Sequence, residues 1–201
     1  MSPRTAARQY WVAIRAMLIF TAVLGIGYTA VVTGVGQLAL NANANGSLTR
    51  VDGETIGSRL IGQSFTDEDG AALPEWFQSR PSAAGDGYDA SASSGSNYGP
   101  ENEDLIAAIT DRKAAIAELE GIDPAEIPAD ALTASASGLD PHISPEYARL
   151  QVERVAEARD LPAAAVRELV ESKIQAPDAG YLGQPTVNVL ELNIALAELK
   201  G

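Results

Sequence analysis

From Ala16 to Thr49 the chain carries no charged residue, and every charge ahead of that run is an arginine. Arg4, Arg8 and Arg15 precede it, and no Asp or Glu does. The stretch Ala16 to Leu40 is dominated by Leu, Ile, Val, Ala and Gly. A helix that crosses a bilayer needs roughly 20 such residues to span about 30 Å of hydrocarbon. Positive flanks stay on the cytoplasmic side. The expected order is a cytoplasmic tail over residues 1–15, a transmembrane helix over 16–40 and an extracytoplasmic domain over 41–201. That describes a single-pass protein of the cell (inner) membrane. A cleaved signal peptide shares the arginines, the apolar run and a small-residue site, here Ala42-Asn43-Ala44. A signal core is only about 7–15 residues long, and the longer run here favours an uncleaved span.

The formal charge is −13, and the part beyond Arg15 holds 11 Lys/Arg against 27 Asp/Glu, a formal −16. Nucleic-acid binding needs basic patches, so that partner class is excluded. An outer domain of this charge is not built to lie on anionic lipid. It keeps the domain soluble and can gather cations through its long-range field. Cysteine is absent, so no disulfide framework or thiolate metal site exists.

Within the apolar run, Thr21, Gly25, Thr29, Thr33 and Gln37 recur every four residues and share one helix face. Small and hydroxylated residues let a second helix approach and hydrogen-bond, so membrane lipid faces the other sides and a partner helix this one. Beyond the span, Asp52-Gly53 between Ser47–Val51 and Glu54–Ser58 predicts a two-residue hairpin turn. Residues 66–100 form a long Gly/Ser-rich loop in which only Leu73, Trp76, Phe77, Tyr88 and Tyr98 offer anchors. Helices follow. One runs from Glu103 to Glu120 with Gly121 as its stop. Ser144-Pro145-Glu146 opens a second. A third follows Pro162, and a short strand at Val187 leads into a terminal helix. Early strands and late helices read as α+β.

Candidate chemistry is sparse. His142 is the sole histidine, flanked by Asp140 and Ser144 between two prolines. A Ser-His-Asp triad needs a nucleophile within reach and an oxyanion hole, and no G-x-S-x-G elbow is present. The bland reading is a rigid turn, with Asp140 as turn former and Ser144 as helix cap; contact with a partner is the other. One histidine without cysteine makes no metal site. Asn188, Glu191 and Asn193 sit among aliphatics, as staples inside the domain or as contact points. Catalytic residues are not expected.

Several blocks in order carry a family resemblance: Asn45-Gly-Ser-Leu48, Gly57-Ser-Arg-Leu-Ile-Gly-Gln-Ser-Phe65, Phe77-Gln-Ser-Arg-Pro-Ser82, Gly95-Ser-Asn-Tyr-Gly-Pro100, Thr133 to Pro145, and Val187-Asn-Val-Leu-Glu-Leu-Asn193. Together with the single span, from Arg15 to Leu199 the chain resembles the C subunit of the Kdp potassium-transporting P-type ATPases. Glu68 to Glu75 is longer than that pattern. The resemblance implies an accessory subunit of a high-affinity potassium uptake complex. Its partners would be a channel-like potassium-translocating subunit and a P-type ATPase subunit, and potassium would be carried by those partners. It also implies a catalytic chaperone that raises the ATP affinity of the ATPase subunit, ATP being the one cofactor concerned. The phosphorylation motif Asp-Lys-Thr-Gly-Thr and a Gly-Tyr-Gly filter are both absent here. Gly95, Ser96, Asn97, Asp140, His142, Asn188, Glu191 and Asn193 join the membrane stripe as expected partner contacts. A membrane-anchored binding module unrelated to transport, and an exported hydrolase using His142, are the competing readings.

Overall fold

A computed structural model describes residues 3–199. The chain divides after Leu48 into two compact units. The first is a helix built from α1 (Pro3–Phe20), a π-helical stretch (Thr21–Tyr28) and α2 (Thr29–Ala39), closed by one turn, α3 (Asn41–Ala44). It is long and apolar enough to cross a membrane. Helix begins well before the apolar run because nothing from Arg4 to Arg15 opposes it: Ala, Arg and Gln are good formers, and Pro3 sits where its missing N–H costs nothing. At the other end Leu40 leaves helical geometry, with φ −133° and ψ 43°. There the Gln37 Oε1 accepts from the side-chain amides of Asn41 and Asn45, each at 3.1 Å. Gly46 and Ser47 then turn the chain through positive φ.

The π stretch changes the geometry of the Thr/Gly stripe. A four-residue step overshoots an α turn by about 40° and undershoots a π turn of about 4.4 residues by about 33°. Thr21 and Gly25 lie in the π stretch, whereas Thr29, Thr33 and Gln37 lie in α2. The two drifts oppose each other, so the five positions stay within roughly 80° rather than fanning over about 160°.

The second unit is α+β, as the order of elements predicts. It opens on a hairpin of β1 (Leu48–Val51) and β2 (Glu54–Ser58). Asp52 and Gly53 have φ of 51° and 85°, the pair of left-handed residues that the twist of a hairpin selects. Then α4 (Glu103–Glu120) starts on an Asn102 cap and stops at Gly121, φ 67°. The short α5 (Ala129–Leu132) follows. Ser144 caps α6 (Pro145–Leu150), which hands over at Gln151 to α7 (Val152–Ala158). After Pro162 comes α8 (Ala163–Lys173), and α9 (Val189–Glu198) closes the unit. Three very short strands join the helices: β3 (His142–Ile143), β4 (Ile174–Gln175) and β5 (Thr186–Asn188), antiparallel in the order β3-β5-β4. Only β5 is visible in the sequence, because two residues are too few to show alternation. His142 therefore sits in a strand opposite Asn188, not in a free turn.

The core includes Phe77, Ile143, Tyr147, Val152, Val155, Val166, Val170, Val187, Leu192 and Leu196, from α6–α9, the small sheet and one residue of the long loop, with Ala131 and Leu132 of α5 beside them. Phe77 is fully buried although residues 59–102 contain no named helix or strand. The loop is pinned at its centre. The Asn193 side chain accepts from the Phe77 N–H at 2.9 Å and donates to the Phe77 carbonyl at 3.0 Å. Gln151 does the same for Gln78, at 2.6 and 3.2 Å. Arg154, itself paired with the buried Glu120, donates to the carbonyls of Pro74 and Trp76. Arg159 lies 4.7 Å over the Trp76 ring, a cation–π contact. Buried amides thus stand in for the neighbouring strands that this extended segment lacks.

Replacing Asn193 with Ala strands both polar groups of Phe77 in the core. The expected loss is about 2–6 kcal/mol at roughly 1–3 kcal/mol for each of the two buried unpaired groups, read as a lowered denaturant midpoint of the detergent-solubilised full chain.

Candidate functional site

The candidate surface of the second unit is built where two of the sequence blocks cross. Asp140 lies just before β3, and its Oδ1 accepts from the His142 backbone N–H at 3.0 Å, with His142 Nδ1 at 3.4 Å. Its other oxygen accepts from Arg80 Nη1 at 2.9 Å. Arg80 comes from the long loop, 60 residues away in sequence. The Arg80 Nη2 reaches the Thr133 carbonyl at 3.4 Å, and its Nε is buried without a partner. Burial pushes the Asp140 carboxyl up, but hydrogen bonds from His142 and the charges of Arg80 and His142 outweigh it and hold the carboxyl below its usual range.

Arg80 is itself held from behind. The Tyr88 hydroxyl donates to the Arg80 carbonyl at 2.7 Å, and burial pushes that phenol up to about 12. Ser82 Oγ donates to the Gly138 carbonyl at 2.6 Å and accepts from Ala84 and Tyr88 N–H. Gly138, φ 66°, has Ser94 O and Ala84 N where a Cβ would stand, at 2.5 and 2.8 Å. Only glycine fits.

Ser144 does not face His142 as a nucleophile. Its hydroxyl accepts from Tyr147 N–H as the α6 cap and donates to Asp130 at 2.8 Å, and its own N–H donates to the same carboxylate at 2.7 Å. Turn former and cap are thus the observed roles of Asp140 and Ser144. A notch of about 510 Å³ opens here, lined by Arg80, Asp130, Asp140, His142, Glu146 and Thr186. Among the described residues no group of three or more His, Asp or Glu is placed to hold a metal ion. The notch offers donors and acceptors of both signs in fixed positions, which suits a polar contact.

The other expected contacts are scattered. Gly95 is partly buried, with Ala136 O 2.9 Å from where its Cβ would be, while Ser96 and Asn97 are exposed. The Ser94 N–H donates to the Ser137 carbonyl at 2.9 Å, so the Gly95 block lies along the Thr133–Pro145 block. Asn188 and Asn193 are staples rather than exposed groups. Asn188 caps α9 by accepting from Glu191 N–H and donates to the Arg59 carbonyl at 2.8 Å. Glu191 is half-buried in that first turn. In the first unit, Thr21, Gly25, Thr29 and Thr33 are exposed along the helix, and Gln37 is engaged at its end. Arg80, Asp130, Gln151 and Arg154 are not singled out by the sequence. Arg80 stands inside the Phe77–Ser82 block, but its partner becomes visible only on folding.

The described chain thus joins a membrane-length apolar helix to an α+β unit that carries a polar notch on its surface. The family model described as the c chain of K+-transporting ATPases, KdpC, matches residues 10–198. The chain belongs to that family. It is 52% identical over 189 residues to a potassium-transporting ATPase KdpC subunit of Kineococcus radiotolerans, covering 94% of this chain and 93% of that one. A Caulobacter vibrioides subunit of the same name is 55% identical over 186 residues, covering 92% and 90%. One from Mycobacterium tuberculosis is 48% identical over 194 residues, covering 96% and 99%.

The lowered Asp140 carboxyl sets a pH signature. A depressed folded-state pKa contributes stability above the unfolded value, about 3.9, and that contribution is lost as pH falls through the lower folded value. Asp140→Asn should therefore lower the denaturant midpoint at pH 7, and the gap to the wild type should close progressively below pH 4. A gap independent of pH would dissociate the carboxylate charge from the stability of this corner.

Proposed function

We propose that this chain is a non-catalytic, accessory subunit of a high-affinity, ATP-driven potassium uptake complex. It assembles with and stabilises a channel-like potassium-translocating subunit and a P-type ATPase subunit. The observation that carries this reading is the family match along nearly the whole chain. The missing phosphorylation and filter motifs support it, since pumping and selection then fall to the partners. The apolar helix crosses the cell (inner) membrane once, with the arginine end in the cytoplasm and residues 41–201 outside. The gathered stripe Thr21, Gly25, Thr29 and Thr33 packs against a partner helix. Gly25 supports that role, because a Cβ there would meet nothing nearer than Thr21 at 3.9 Å. The notch at Arg80, Asp140 and His142 and the exposed Ser96-Asn97 turn face the partners at the outer surface, where the acidic domain also gathers cations.

A chaperone effect on ATP affinity fits this topology as a coupling through the assembly. With the outer domain across the membrane, ATP meets only the first residues of the chain. The coupling then needs a two-state element in the partners that both sites bias.

Affinity purification of the full chain in mild detergent tests the reading. The expected result is recovery of a large channel-like protein and an ATPase in fixed proportion; recovery of the chain alone sinks the subunit reading. Gly25→Leu with Thr29→Leu should reduce the recovered partners several-fold while the chain still inserts. Undiminished recovery assigns the contact to another face.

A further inference from the structure

The continuous helix from Pro3 brings into register residues that a loose tail would leave scattered. Arg4, Arg8, Trp11 and Arg15 stand at i, i+4, i+7 and i+11, which places them within about 40° of one line along α1. No Asp or Glu occurs before Asp52, so nothing within the first unit neutralises these charges. Trp11 and the neighbouring Tyr10 are 64% and 72% exposed.

We infer that the Arg4–Arg8–Trp11–Arg15 face of α1 is a binding site for anionic phospholipid headgroups of the cytoplasmic leaflet. This rests on the membrane orientation proposed above. Tyr and Trp settle at the headgroup level, so Tyr10 and Trp11 set the depth. Arg15 then lies about 6 Å deeper along the axis and returns its guanidinium to the interface along its apolar stem. Arg8 lies about 4.5 Å to the water side and Arg4 about 10 Å, within reach of the surface field. Guanidinium forks pair with phosphate oxygens two at a time, and Trp11 covers the glycerol region. The outer domain, at −16, contributes nothing to such binding; the first unit is where lipid chemistry and charge coincide.

The test uses the full chain in phosphatidylcholine vesicles with a trace of spin-labelled phosphatidylglycerol or spin-labelled phosphatidylcholine. The readout is the fraction of label immobilised by the protein. A preference for phosphatidylglycerol is expected, falling by up to about fivefold for each arginine removed and collapsing in molar salt. Arg4→Gln, Arg8→Gln and Arg15→Gln combined should bring it to unity. Exchanging two neighbours, Arg8→Gln with Gln9→Arg, keeps the net charge but moves one charge about 100° off the line. It should behave like Arg8→Gln alone, and wild-type preference in that variant would reduce the site to net charge and overturn it. A chain that resists alkaline extraction yet shows no headgroup preference refutes the inference and leaves the membrane reading intact. A chain released by alkali refutes the membrane reading itself. No lipid preference, together with lost partner recovery in the triple variant, would reassign the face to an acidic protein surface.

Discussion

Two buried amides, Asn193 on α9 and Gln151 between α6 and α7, grip the backbone of Phe77 and Gln78 from both sides. Much of the second unit depends on that grip. Phe77 enters the core only because its own N–H and C=O are satisfied there. Gln78 then turns its side-chain amide back to the carbonyls of Phe65, Leu73 and Trp76, which closes the preceding turn. Arg80, two residues on, is delivered to Asp140. Without the anchor, a stretch without regular structure and poor in aliphatic residues would have no reason to pass through a helical core.

The same segment is also held through a buried ion pair on α4 and α7. Glu120 and Arg154 are both buried and paired at 2.9 Å. Burial raises the Glu120 carboxyl and the arginine opposes that shift, leaving it net raised. One Glu120 oxygen has no hydrogen-bond partner. A buried pair of this kind contributes little net stability but is expensive to break. Its value here is positional, because Arg154 also holds Pro74, Trp76 and Gln151. Position rather than net energy explains why a charge is tolerated so far inside.

In the first unit the corresponding constraint is helical phase. The π stretch turns an i+4 pattern that would otherwise spiral into a narrow face. Continuity of α1 does the same for the arginines and Trp11. Both faces belong to one helix: the change of winding at Thr21 gathers the docking face, and the unbroken α winding before it aligns the lipid face. Gln37, in phase with the stripe, is diverted to Asn41 and Asn45 and marks where the regular helix ends.

Local chemistry made many elements legible in the sequence. The apolar run announced its helix, Asp52-Gly53 its turn, Gly121 the stop of α4, and Ser144-Pro145 the start of α6. Each of these depends on residues within a turn or two of one another, and so does the ordered set of motifs that carried the family resemblance. Other features required the fold. The pairing of Arg80 with Asp140, the grip of Asn193 and Gln151 on the loop, and the strands β3 and β4 join residues tens of positions apart. Their short or polar signals match those of any loop. The sequence by itself determined the membrane-length helix, the acidic α+β unit and the family. Tertiary structure decided which polar residues became buried staples and which stayed at the surface, because a buried amide and an exposed one differ only in the partners that packing brings.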